Sequence, residues 1–345
     1  MKHRAAEQTL MFAEAAEAPE VVARQLAAND SVVGDLADRL RRDPPRGVVT
    51  YARGSSDHAA TFAKYVLETR VGVLTTSAAP STASVYGEGP DVSGMLALAI
   101  SQSGQSPDIL AAVSAAKSGG AQTVALVNSV DSPLANLCDI AIPLHAGTEK
   151  SVAATKSYIA ALSAIIHIAS KWSGDGSLAG ALETAPELLR AAWRCDWSLL
   201  TQGLAGVRGL FVVGRGPGFA IAQEAALKLK ETSQIQAEAF SAAEVRHGPM
   251  ALVGPAFPVL AFRQSDESGD GIDTLVRDVR SRGAPVFIAG GDGREKTHLP
   301  VPAAHPLIEP MLQIAAFYRA ANAISLARGL DPDRPPHLSK VTETL

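Results

Sequence analysis

Apolar positions along the chain fall into two periodicities, and their alternation predicts the fold. Residues 5–42 set Ala, Leu and Val at helical spacing among charges. Pro44 and Pro45 end that stretch, because proline lacks the amide a continuing helix needs. "GVVTYARGSS" (47–56) reads as a buried strand entering a glycine-rich turn, with a helix over 58–69. "MLALAISQSG" (95–104) repeats the strand and turn before another helical segment, and "AQTVALVNSV" (121–130) supplies a further strand. Short apolar strands alternating with helices predict a parallel, doubly wound sheet. The most apolar helical run, "SYIAALSAIIHIAS" (157–170), falls short of the roughly 20 residues that span a bilayer and predicts a buried core helix.

The pattern occurs twice. An offset of 162 residues lays "RGVVTYARGSS" (46–56) on "RGLFVVGRGPG" (208–218), so that Arg53 and Gly54 fall on Arg215 and Gly216. The same offset lays "LALAISQSG" (96–104) on "PVLAFRQSD" (258–266), pairing Gln102 with Gln264 and Ser103 with Ser265. One residue later, "GGAQTVALVN" falls on "RGAPVFIAGG". Ordered matches in nearly one register predict a tandem duplication. The expected architecture is α/β, with two tandem doubly wound parallel-sheet domains braced by helices. The expected boundaries are a helical segment over 1–45, a first domain over 46–147, a helical connector over 148–206, a second domain over 207–310 and a C-terminal helix and tail over 311–345.

Composition narrows the function. The length of 345 residues agrees with two domains, and 31 basic against 35 acidic residues leave a net charge of −4. Such a chain has no general field for nucleic acid or an anionic membrane, so any anionic ligand must be caught locally. Residues 1–45, with six basic and eight acidic side chains, make a poor DNA-binding arm. Cys138 and Cys195 lack metal-ligand spacing, so neither a disulfide framework nor a metal site is expected. Glu7, Glu14, Glu17 and Glu20 stand where a secretory signal would carry a basic flank, and the expected location is the reducing cytoplasm.

In an open parallel sheet, ligands bind at the carboxyl ends of strands. "SQSGQS" (101–106) sits there, and its amides and hydroxyls suit a phosphate dianion; ordinary capping by Ser103 or Ser106 before Pro107 is the competing reading. Its counterpart "RQSDES" carries Asp266 and Glu267, which would repel phosphate. "GRGPGF" (214–219) is a weak partial dinucleotide fingerprint, with Phe219 in place of the third glycine. Glu238 lies at a ribose-contact distance onward, but in "QAEAFSAAE", which does not read as a strand end. In "QEAALKLKE", Lys228 and Glu231 share a helix face, either as a solvated salt pair with Glu224 nearby or as acid–base chemistry aimed at a site. "RHGP" puts His247 before a Gly-Pro turn, where the helix must end. The proline-rich tail is either frayed or brings Lys340 into a site as an amine nucleophile.

"GSS", "SQSGQS", "VAATK", "EAALKLKE", "RHGPMAL" and the tail lysine together resemble the sugar isomerase (SIS) family, in an order similar to the isomerase half of glucosamine-6-phosphate synthase. The resemblance covers residues 54 to 340 and implies flavodoxin-like SIS domains. It implies that Ser101, Gln102, Ser103 and Ser106 cradle a phosphate, with Ser55 and Ser56 as sugar contacts and the turn from Val152 to Thr155 closing the other side. Ala154 stands where the synthases often have serine. It further implies Glu231 as the base between C1 and C2 with Lys228 beside it, His247 as the ring-opening acid–base given by a neighbouring subunit of a homodimer, and Lys340 as the imine-forming amine. The implied chemistry needs no cofactor and no metal, and the implied partner is a small sugar phosphate. The synthases' glutaminase domain has no counterpart here, so the expected activity is glucosamine-6-phosphate deamination. An isomerising aminotransferase subunit, a galactosamine-6-phosphate deaminase and a non-catalytic sugar-phosphate sensor are the alternatives.

Overall fold

The structure is a computed structural model and describes residues 5–291, 293 and 296–340. Its strands in chain order are β1 (Val48–Tyr51), β2 (Thr75–Ser77), β3 (Leu96–Ser101), β4 (Gln122–Val127), β5 (Ile140–Pro143), β6 (Gly209–Gly214), β7 (Gln236–Ser241), β8 (Val259–Phe262), β9 (Val286–Ala289) and β10 (His298–Leu299). The α-helices are α1 (Leu10–Ala16), α2 (Ala18–Arg42), α3 (Ser55–Arg70), α4 (Ser81–Ser84), α5 (Pro107–Ser118), α6 (Pro133–Leu137), α7 (Lys156–Ser173), α8 (Gly176–Trp193), α9 (Ser198–Leu204), α10 (Pro217–Ser233), α11 (Gly269–Ser281) and α12 (Glu309–Ala327). The chain divides into two compact units. One holds residues 20–149 and 157–183 with Ser339 and Lys340; the other holds residues 5–19, 150–156 and 184–338.

In the first unit five parallel strands run in the order β2-β1-β3-β4-β5. Val49, Tyr51, Ala97, Ala99 and Val127 pack with Ile109 and Val113 of α5 and Leu134 of α6. On the opposite face Leu96, Leu98 and Val124 meet Leu36 of α2, Leu67 of α3 and Ile165 of α7. Helices on both faces explain why "LALAIS" in β3 is buried at every position, with no polar alternation. Helix α2 also serves polar groups at the sheet edge: Gln25 donates to the carbonyls of Leu144 and Ala160, and Asn29 to that of Pro143.

The second unit has its own five-stranded parallel sheet, ordered β7-β6-β8-β9-β10. Phe211, Val213, Val259 and Ala261 pack with Ile272, Val276 and Val279 of α11. Phe262 meets Phe317 of α12 edge to face, with ring centroids 6.1 Å apart. Arg328 closes α10 by donating to the Ser233 carbonyl, and also reaches Ala205 and Val207, as suits a cation at a helix C-terminus.

Counted along the chain, both sheets share the strand order 2-1-3-4-5. In this order the crevice for ligands lies at the carboxyl ends of the first and third strands, where the connections diverge. The turns after β1 and β6 are also alike: Gly54 has φ 55° and ψ −131°, and Gly216 has φ 57° and ψ −137°. That region of backbone space is open essentially to glycine alone.

The second half differs from expectation at one element. Helix α10 stops at Ser233, where Gln234 turns left-handed at φ 52°. "QAEAFS" then forms β7, paired in parallel with β6, so this stretch is a strand and not helix running on toward His247. An edge strand keeps one side in water; Gln236 and Glu238 are exposed while Ala237 is buried, which disguises its apolar face.

Candidate active site

The "SQSGQS" turn leaves β3 at the crevice of the first sheet. Ser101 Oγ accepts the Gly104 amide at 2.9 Å, and Ser103 Oγ lies 3.4 Å from the Gln105 amide. Gly104 has φ 66°, and a Cβ there would stand 2.2 Å from Ser132 Oγ, so both conformation and space require glycine. Ser106 precedes Pro107 at the start of α5 but its side chain makes no capping hydrogen bond. Simple capping therefore does not account for this serine. Among the described residues the side chains of Ser56, Gln102 and Ser106 make no hydrogen bond, and all three are partly exposed. The result is a helix N-terminus with spare hydroxyls and amides, the arrangement that receives a phosphate.

Ser55 and Ser56 open α3 at the end of the neighbouring strand β1. The two turns are tied by a pair that the sequence reading missed. Arg53 donates through Nε at 2.8 Å and Nη2 at 2.7 Å to Asp108 Oδ2, and the Asp108 side chain is fully buried.

The corresponding turn in the second sheet is already filled from within. Glu309, at the start of α12, accepts the Ser265 amide at 2.8 Å, and Ser265 is the counterpart of Ser103. Gln264 donates to Gln313 Oε1 at 2.7 Å, and Gln313 donates to the Arg263 carbonyl at 2.7 Å. Burial pushes the Glu309 carboxyl up, although hydrogen bonds from Ser265 oppose it. An internal carboxylate thus already occupies this turn, alongside the repulsion expected of Asp266 and Glu267.

Lys228 and Glu231 do share a face of α10, but the pair is not the solvated one of the simpler reading. Lys228 is 1% exposed, Glu224 is fully buried and only the Glu231 side chain keeps 19% of its surface. Lys228 Nζ lies 2.5 Å from Glu231 Oε2 and 3.5 Å from Glu224 Oε1, and the Tyr318 hydroxyl donates to Glu224 Oε1 at 3.0 Å. Flanking a buried ammonium with two carboxylates offsets the cost of desolvating it. The arrangement presents one partly accessible carboxylate, oriented by a lysine, as a candidate proton acceptor.

His247 ends the short 3-10 turn Glu244–Arg246 and is exposed, and among the described residues its ring makes no hydrogen bond or ion pair. The Val152–Thr155 turn is held from outside its own motif: Glu14 of α1 accepts the amides of Lys150 at 2.5 Å and Ser151 at 3.1 Å. Lys156 Nζ pairs with Glu17 at 2.6 Å. Thr155 is fully buried and Val152 partly so. The tail is not frayed up to Lys340. Asp333 accepts the amides of Leu10 and Met11 at 2.9 and 2.8 Å, and Lys340 Nζ lies 3.1 Å from Glu149 Oε2. Among the described residues no helix is long and apolar enough to cross a membrane.

A sequence profile of the SIS domain matches residues 44–170 and 203–289. The glutamine–fructose-6-phosphate aminotransferase (isomerizing) of Thermococcus kodakarensis KOD1 is 31% identical over 356 aligned positions, covering 99% of this chain and 59% of that protein. The chain therefore spans little more than half of that relative. The C-terminal domain of glucosamine-fructose-6-phosphate aminotransferase from Francisella tularensis superposes with a TM-score of 0.86 at 28% identity, covering 95% of this chain and 98% of the other. A glucosamine-6-phosphate deaminase from Thermotoga maritima superposes with a TM-score of 0.79 at 22% identity, covering 97% and 100%, a likeness of fold.

Proposed function

Because this chain belongs to the SIS-domain family, we propose that it moves a proton between C1 and C2 of a hexosamine 6-phosphate and, with water as the acceptor, releases ammonia and fructose 6-phosphate. The observation that carries this reading is Glu231, a partly accessible carboxylate oriented by a buried lysine. The names of its relatives, aminotransferases of fructose 6-phosphate, supply the substrate class.

The reaction follows from the residue types. Ser101, Gln102, Ser103 and Ser106 hold the ester phosphate with neutral donors, and Ser55, Ser56, Val152 and Thr155 contact the sugar. His247, an imidazole able both to donate and to accept a proton, transfers the proton that opens the ring. The free aldehyde acidifies the C2 hydrogen, and Glu231 removes it to leave an enolamine. Return of that proton to C1 gives the 2-imino ketose. Water adds to the C2 imine and expels ammonia, either directly or after Lys340 has exchanged onto C2. Lys228 steadies the carboxylate that carries the proton. In water with no added ammonia, mass action favours hydrolysis.

The test is purified protein with glucosamine 6-phosphate and a paired assay of ammonia and fructose 6-phosphate. Equal release of both supports the reading; no release above blank contradicts it. The identity to isomerising aminotransferases favours a second reading, an isomerase module that receives nitrogen from a glutaminase. That module would make hexosamine phosphate from fructose 6-phosphate when given ammonia or a glutaminase. Galactosamine 6-phosphate in the same assay decides the epimer. A sensor would bind sugar phosphate and turn over none of these.

A further inference from the structure

Glu149 has no part in the reaction as derived above, yet it is a fully buried carboxylate beside a residue that does. It lies between β5 and α7. On one side Ser157, in the first turn of α7, donates its amide to Oε1 at 3.3 Å and its hydroxyl to Oε2 at 2.7 Å. On the other side Lys340 Nζ donates to the same Oε2 at 3.1 Å, with 23% of its side chain exposed. Glu149 is thus fixed to a helix start, where free amides favour a negative charge.

The tail needs such an anchor. Residues 328–340 form no helix or strand, so side-chain contacts must place them. Asp333 secures the near part through the first amides of α1. At the far end the lysine is held by its pair with Glu149. Taking the ammonium away from this buried carboxylate would be costly, so the site favours the docked tail over a loose one.

We propose that Glu149 is the positioning residue for Lys340, docking its ammonium at the start of α7 so that the amine meets bound sugar from one fixed point. The proposal rests on the reading of Lys340 as the imine-forming amine. Glu149 itself touches no substrate in this account.

Two measurements on the full chain test it. The first needs no turnover: an amine-selective acylating reagent is applied without sugar, and Lys340 modification is followed by peptide mass spectrometry. Glu149→Gln should raise the Lys340 rate about tenfold, because the amine is then no longer held in an ion pair with a buried carboxylate, with Glu149→Asp in between. Equal rates in wild type and Glu149→Gln overturn the proposal. The second is a double-mutant cycle on hexosamine 6-phosphate turnover. Glu149→Gln should lower kcat at least about tenfold with KM held within about twofold, Glu149→Asp should recover part of it, and in a Lys340→Ala background the same change should cost nothing more. A loss of equal size in both backgrounds marks a structural role and overturns it, as does a loss that follows a lowered Tm. Should the wild type turn over no sugar, the functional reading fails by itself and the labelling rates still decide the role of Glu149.

Discussion

Glu231 and Lys228 show how burial separates two side chains of one salt pair. The lysine is sealed and the glutamate keeps an opening, so changing each should damage a different property. Glu231→Gln should cut ammonia release about a thousandfold, the usual range for loss of a general base, while sugar-phosphate affinity stays within about twofold. Unchanged turnover would remove Glu231 from the reaction. Lys228→Met leaves Glu224 buried beside Tyr318 without its cation, and the expected loss is about 3–5 kcal/mol of stability by denaturant titration. At this scale the sequence was legible for residues whose spacing carries the signal, such as Lys228 and Glu231 three apart. It was silent on Asp108, Glu14, Tyr318 and Glu309 and on the pairing of Glu149 with Lys340, because these partners lie far apart along the chain; Tyr318 and Glu224 are 94 residues apart.

Among the elements, turns at strand ends carry the site and their local chemistry is unforgiving. Gly104→Ala forces a side chain onto a left-handed backbone and into Ser132, so sugar-phosphate affinity measured by calorimetry should fall at least tenfold. An unchanged affinity would show that the turn is not the phosphate site. The β4 end of the same sheet offers a pH test. Partial burial pushes the Asp139 carboxyl up, but the amide and hydroxyl of Thr123 and the Lys117 ammonium outweigh it and hold the group below the usual carboxylate range. A depressed native pKa means stability that is present above the unfolded value and lost as pH falls through the native one. Asp139→Asn should therefore melt below wild type at pH 7, and the gap should close in acid below the ordinary carboxylate range. A gap constant with pH would contradict this. Central strands were legible because helices cover both faces and their apolar runs are continuous. The edge strand β7 was not, since Glu238 on its wet side broke the run.

For the molecule as a whole, the repeated register was the most informative sequence feature: an offset of 162 carries the odd backbone of Gly54 onto that of Gly216. The same strand order in both sheets gives two crevices of one kind, and the filling of the second by Glu309 leaves the first as the one we propose for phosphate. His247, exposed and without a side-chain partner among the described residues, fits delivery to another copy of the chain. Mixing Glu231→Gln with His247→Ala, each inactive alone, should restore part of the activity if the site is shared; no recovery in a proven mixed dimer would place both residues in one chain's site.

The central claim is that neutral donors after β3 grip the phosphate ester. A crystal structure of the Glu231→Gln variant soaked with glucosamine 6-phosphate tests it most directly. The account predicts ester oxygens within hydrogen-bond distance of the hydroxyls of Ser101, Ser103 and Ser106 and of the turn amides. An ester lodged elsewhere, with this turn holding only water, would contradict it.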